Sequence, residues 1–156
     1  MEKITERTQK EASNDNLRGL YMGIDIFKKY EKKCKSPDLK KLLKEVIDLY
    51  IGEAISLSSK ISSLGYTPVS NVGLLGKASE VIYNIKTIAA DTDSEILEES
   101  IKAFKTGIIM FQKFISEKGE TLDKDSLNLI KEIIKDNEEL SKKLNNYSSP
   151  KQADFF

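Results

Sequence analysis

From Asp15 onward, apolar residues return every three or four positions, the spacing that gathers side chains on one face of an α-helix. Leu17, Leu20, Ile24, Phe27 and Cys34 form the first such stripe and predict a helix ending near Lys35. Ser36-Pro37-Asp38 then predicts a new start. Serine can cap the exposed N–H groups, proline loses nothing at the first helical position, and aspartate meets the positive helix end. The second helix carries Leu39, Leu42, Leu43, Val46, Tyr50, Ala54, Leu57 and Ile61 on one side, with Gly65 as its stop. So short a connection predicts an antiparallel hairpin.

Residues 66–76, with Pro68, Gly73 and Gly76, read as a crossover. A shorter amphipathic helix is expected after it, with Leu74, Ala78, Val81, Ile85 and Ile88 on one face. Thr92-Asp93-Ser94-Glu95 has the form of a capping box. It opens the cleanest seam of the chain: Leu97, Ile101, Phe104, Ile108, Phe111 and Ile115, ended by Gly119. Thr121 or Asp123 can cap a last helix bearing Leu127, Ile130, Ile133 or Ile134, Leu140, Leu144 and Tyr147. The expected organisation is a polar N-terminal arm or frayed helical extension (1–14), an all-α four-helix bundle (15–147) and a mobile C-terminal tail (148–156) ending in Phe155-Phe156.

The two halves repeat. Met22-Gly23-Ile24-Asp25-Ile26-Phe27-Lys28-Lys29-Tyr30 aligns with Thr106-Gly107-Ile108-Ile109-Met110-Phe111-Gln112-Lys113-Phe114 at an offset of 84. Leu42-Leu43-Lys44-Glu45-Val46-Ile47 aligns with Leu129-Ile130-Lys131-Glu132-Ile133-Ile134 at an offset of 87. Each mid-helix glycine costs roughly 1 kcal/mol against alanine. Paying it at both Gly23 and Gly107 points to a shared packing reason, expected to be close approach of the first and third long helices.

Two hairpins joined by a long crossover is the connectivity of ferritin-like folds. The stretch from Asp15 to Tyr147 resembles a bacterial branch of the ferritin-like superfamily known only as a domain of unknown function. The residues that carry the resemblance are Met22-Gly23-Ile24 with Phe27 and Tyr30, Ser36-Pro37-Asp38-Leu39, and Leu64-Gly65-Tyr66-Thr67-Pro68. To these add Gly73-Leu74-Leu75-Gly76-Lys77 and Thr106-Gly107-Ile108 with Lys113-Phe114. The resemblance implies a ferritin-like antiparallel four-helix bundle and imports no reaction.

Composition narrows the chemistry. Ferritin-like di-iron sites use a Glu from each of two helices and Glu-x-x-His from each of the other two, and this chain has no histidine. A Ser-His-Asp triad is excluded for the same reason. The 25 basic and 25 acidic residues cancel, leaving no net field to draw nucleic acid or an anionic membrane. No stretch approaches the roughly 20 apolar residues of a membrane span, and the polar start lacks a signal-peptide core, so cytoplasmic residence is expected. Cys34 stands alone and cannot form an internal disulfide. Gly73-Leu74-Leu75-Gly76-Lys77 has two residues between its glycines where a phosphate loop has four, and Ala78 where it needs Ser or Thr. The helix around Leu74–Ile88 has too few cations for a membrane-surface role.

Two carboxylates fall near apolar stripes. Glu31 lies between Phe27 and Cys34, and Glu53 between Val46 and Leu57. A buried, unpaired carboxylate is costly and needs a lysine, a tyrosine hydroxyl or a cation. These are the weak metal candidates; the bland alternative is a boundary position with the head group reaching water or lysine. Glu45-x-x-Asp48 and Asp136-x-x-Glu139 read as solvated faces. Asn137, on the last seam between Ile133 and Leu140, can set register or association. Cys34 reads as a small core filler. Ser56, Ser58, Ser59, Ser62 and Ser63 make a small, smooth helix face.

The expected role is a non-catalytic bundle with a structural or protein-interaction function, with no catalytic residue, no cofactor, no small-molecule substrate, and a homodimer or protein partner in view. The alternative is a degenerate ferritin-like metalloprotein holding iron or another cation through carboxylates only.

Overall fold

A computed structural model describes the backbone of residues 2–70 and 90–153 and the side chains of 8–70 and 90–147. Among the described residues the chain is all-helical: four long helices, α1 (Glu2–Lys33), α2 (Pro37–Ser63), α3 (Asp93–Lys118) and α4 (Lys124–Ala153), and no strand. A single 3-10 turn, Gly119–Thr121, sits between α3 and α4. The crossover helix expected over Leu74–Ile88, the loop Gly73–Lys77 and Phe155-Phe156 lie outside the described residues.

The start and stop signals act largely as their chemistry demands. Ser36 Oγ accepts the Leu39 N–H at 3.4 Å ahead of Pro37. Gly65 closes α2 at φ +85°: its N–H bonds Ser62 O at 3.0 Å and the Tyr66 N–H bonds Ile61 O at 3.1 Å. This is a Schellman closure, which needs a residue that tolerates left-handed backbone. Thr92 Oγ1 accepts the Glu95 N–H at 3.2 Å. The reciprocal half of the box is displaced by one residue, since Glu95 accepts from the N–H of Asp91. Of the two caps expected for α4, Asp123 serves, accepting the Ser126 N–H at 3.2 Å.

Two boundaries differ from expectation. Of the two readings of the first residues, the structure shows the helical extension: α1 begins at Glu2, and Ala12, Ser13 and Asn14 are buried. Asn14 accepts the Val69 N–H at 2.9 Å and donates to Thr67 O at 3.3 Å. Gln9 donates to Asp123 at 3.0 Å and accepts from the Tyr66 hydroxyl at 3.2 Å. Small and amide side chains therefore anchor a segment that an apolar stripe could not reveal. At the other terminus α4 continues through Pro150 to Ala153 instead of stopping near Tyr147.

The core is one cluster drawn from all four helices. Every residue of the α2 stripe named from the sequence is buried, joined by Ile47 and Glu53. In α3 the buried face is Ile96, Leu97, Ser100, Phe104, Ile108 and Phe111. The seam is thus not wholly apolar; Ser100 fits because its hydroxyl donates to Ile96 O at 2.6 Å. At the centre Phe27, Tyr30, Tyr50 and Phe104 pack ring to ring, with centroids 5.5 to 6.1 Å apart and three of the four contacts edge-on. Such geometry suits the aromatic quadrupole.

The ends of the helices are stitched together. Asp93, first residue of α3, accepts the backbone N–H groups of Lys35 at 2.9 Å and Ser36 at 2.8 Å, in the α1–α2 turn. Lys33 donates to Ala90 O at 2.7 Å beside that turn. At the opposite end Lys60 pairs with Asp123 at 3.3 Å, tying the last turn of α2 to the start of α4.

Candidate functional site

Glu53, on the core side of α2, faces α4 and is only 6% exposed. Opposite it Asn137 is 1% exposed. Oriented by its hydrogen-bonding partners, the Asn137 amide nitrogen donates to both Glu53 oxygens, at 3.1 Å to Oε2 and closer to Oε1, and to Ile133 O at 3.2 Å. The two polar residues singled out on separate stripes therefore meet. Because α4 covers it, Glu53 keeps only a slight opening to solvent; an amide stands where a lysine, a tyrosine hydroxyl or a cation was expected.

That environment sets the protonation of Glu53. Burial pushes its carboxyl up to about 9, the nearby Asp136 carboxylate adds to the rise, and the Asn137 hydrogen bond opposes it. Desolvation dominates because an ion loses water's stabilisation whereas the acid form loses little. At neutral pH Glu53 is the neutral acid. One turn away, burial and then the charge of Glu53 raise the Tyr50 phenol.

A cleft of about 330 Å³ lies outside this pair, lined by α2 and α4 alone. Its ionisable lining is Asp48, Glu53, Glu132 and Asp136, with no lysine or arginine among it. Glu31 is half-buried on α1 and does not line this cleft, so the two weak metal candidates are not brought together. Among the described residues no group of three or more His, Cys, Asp or Glu side chains is placed to hold a metal ion. Glu45 pairs with Lys143 at 2.9 Å on the surface, and Asp48, Asp136 and Glu139 are exposed.

A second feature faces solvent. On the opposite flank of α2, Tyr21, Ile24 and Lys28 of α1 and Ile51, Ile55, Ser58, Ser59 and Ser62 of α2 line an open furrow of about 420 Å³. Ile55 is 64% exposed and Ile51 is 37% exposed. Of the five serines named from the sequence, three line this furrow, Ser56 lines the acidic cleft, and Ser63 donates to Lys60 O at 2.6 Å. Cys34 is buried, its thiol donating to Ser36 O at 3.6 Å. Burial, then Asp93, raises the thiol above its ordinary range, which makes it an inert core residue.

The two repeated glycines have one neighbour in common. A Cβ on Gly23 would lie 2.8 Å from Tyr50 Cε2, and one on Gly107 would lie 3.3 Å from the Tyr50 hydroxyl. The space they leave is filled by the Tyr50 ring of α2, not simply by the backbones of α1 and α3. No sequence spacing between α1 and α3 could have named that ring.

Residues 10–117 match the family described as Domain of unknown function (DUF2383), and the chain belongs to that family. Comparison with curated proteins and with solved structures returns no match. No helix among the described residues is long and apolar enough to cross a membrane.

Proposed function

We propose that this chain is a ferritin-like antiparallel four-helix bundle, made of two repeated hairpins, that works by protein association and not by catalysis. The ferritin-like connectivity is supported by the stitching at the helix ends. Asn14 binds the segment after α2, and Asp93 binds the α1–α2 turn, so α1 runs against α2 and α3 starts where α1 ends. The Asp123 contacts return α4 to the starting end of α1. An up-down-down-up path with one long crossover is the ferritin-like pattern. The duplication is supported by Gly23 and Gly107 both yielding space to Tyr50.

The observation that carries the functional reading is the furrow between α1 and α2, where Ile51 and Ile55 leave apolar area in water beside Tyr21 and three small serines. Apolar area of this kind is stabilised by covering it. Sedimentation velocity over a concentration series, with lysate capture alongside, tests the reading. The chain is expected to associate with itself or retain a protein partner, and Ile55→Lys is expected to abolish that without changing the melting temperature. A monomer at every concentration that retains no partner would overturn it. So would one metal ion per chain in protein purified without chelators.

A further inference from the structure

We propose that Glu53 is a proton-held latch between the two hairpins: as the neutral acid it lies buried beside the Asn137 amide and lets α4 lie on α2, and its ionisation parts the two helices at the acidic cleft. This inference does not depend on the association reading.

While the helices stay closed, the Asn137 hydrogen bond is what opposes the burial of an ionised Glu53 and its like-charged neighbours, and it does not outweigh them. Its hydrogen-bonding side chain is Asn137, a neutral amide already shared with Ile133 O. The charged groups that line the cleft with it are Asp48 on α2 and Glu132 and Asp136 on α4, all of the same sign. The two lysines paired along this seam are paired away from it: Lys143 with Glu45 at 2.9 Å, and Lys60 with Asp123 at 3.3 Å. Glu45 and Lys60 lie about two helical turns from Glu53 along α2, roughly 10–12 Å, beyond the reach of a salt bridge. α1 and α3 contribute nothing to the cleft lining. With Glu53 6% exposed at the edge of the cleft, a charge on it is fully hydrated when α4 moves away. The Tyr50 phenol, also in this region, stays protonated throughout.

The sign follows from linkage. In the closed state the carboxyl titrates at about 9, and once hydrated it returns toward its ordinary 4.5. Opening therefore releases a proton at any pH between these values. Its equilibrium constant rises tenfold per pH unit across that window and levels off above it. Neutral pH lies inside the window, so a small change in pH there resets how often the α2–α4 side opens.

Two measurements on the full chain test this. Carbon-13 NMR of the Glu53 carboxyl is expected to report the protonated form at pH 7. Hydrogen exchange, corrected for the intrinsic pH dependence of amide exchange, is expected to show opening of residues 45–57 and 129–141 rising tenfold per pH unit, then flattening above about 9. Glu53→Gln, which keeps the shape of the neutral acid, should remove that slope. Asp136→Asn, an exposed substitution that leaves the core untouched, should lower the pH at which the slope flattens. A Glu53 carboxyl titrating near 4.5 would overturn the proposal. So would an unchanged slope in Glu53→Gln. Should that variant fail to fold, the wild-type carboxyl titration and Asp136→Asn decide the matter alone.

Discussion

Replacing Gly23 by alanine sets two effects of known sign against each other. In a helix interior the change should stabilise by roughly 1 kcal/mol, because glycine has more backbone freedom to lose. At Gly19 and Gly52, where nothing lies within 4 Å of the new methyl group, that gain should appear almost whole. At Gly23 the methyl would meet Tyr50 Cε2 at 2.8 Å, with Cδ2 at 3.1 Å and Cζ at 3.3 Å. Carbon atoms rest about 3.5–4.0 Å apart, so the ring must retreat by roughly 0.7 Å or more. It has little room to do so, with Phe27 and Phe104 packed on it at 5.8 and 5.6 Å. Overpacking of this kind costs about 1–3 kcal/mol. Gly23→Ala should therefore be less stable than Gly19→Ala by about that amount, and near neutral to about 2 kcal/mol destabilising against wild type. Urea denaturation with a common m-value reads the difference directly.

The two glycines can then be separated by one further change. Gly107 meets only the Tyr50 hydroxyl, at 3.3 Å, whereas Gly23 meets ring carbons. In a Tyr50→Phe background, Gly107→Ala should become as benign as Gly19→Ala, while Gly23→Ala should stay costly. A double-mutant cycle isolates the coupling. The reasoning is refuted if Gly23→Ala stabilises as much as Gly19→Ala, or if Tyr50→Phe rescues Gly23→Ala.

Two other outcomes are expected. Asn14→Ala removes both bonds to the 67–69 segment and should cost about 1–3 kcal/mol in urea denaturation, with protease cleavage near Pro68 rising in step; unchanged cleavage would mean that other contacts hold the segment. The buried Cys34 should react with an aromatic disulfide reagent only at the rate of unfolding, and reaction of the native protein within seconds would contradict its burial.

Much of this molecule is legible from local rules. Three- and four-residue spacing gave the helical class and most of the buried face. Ser36-Pro37, Gly65, Thr92, Gly119 and Asp123 marked boundaries because capping is settled within a few residues of chain. What escaped is what depends on a neighbour far away in sequence. Ser13, Asn14 and Ser100 are polar and so invisible to an apolar stripe; Asn14 is buried because a distant loop satisfies it, and Ser100 because it bonds its own helix on a covered face.

The candidate site divides in the same way. Glu53 and Asn137 each stood out alone, as polar residues on an apolar stripe. That one satisfies the other was decided only when α4 packed on α2, because pairing requires a distance and a distance requires the fold. The same packing set the proton on Glu53: its carboxyl has the chemistry of any glutamate, and only the removal of water by a second helix pushes it up to about 9. Sequence alone determined four amphipathic helices and the absence of histidine ligands; tertiary structure decided which buried groups meet and in what charge state, since desolvation and hydrogen bonding act through space.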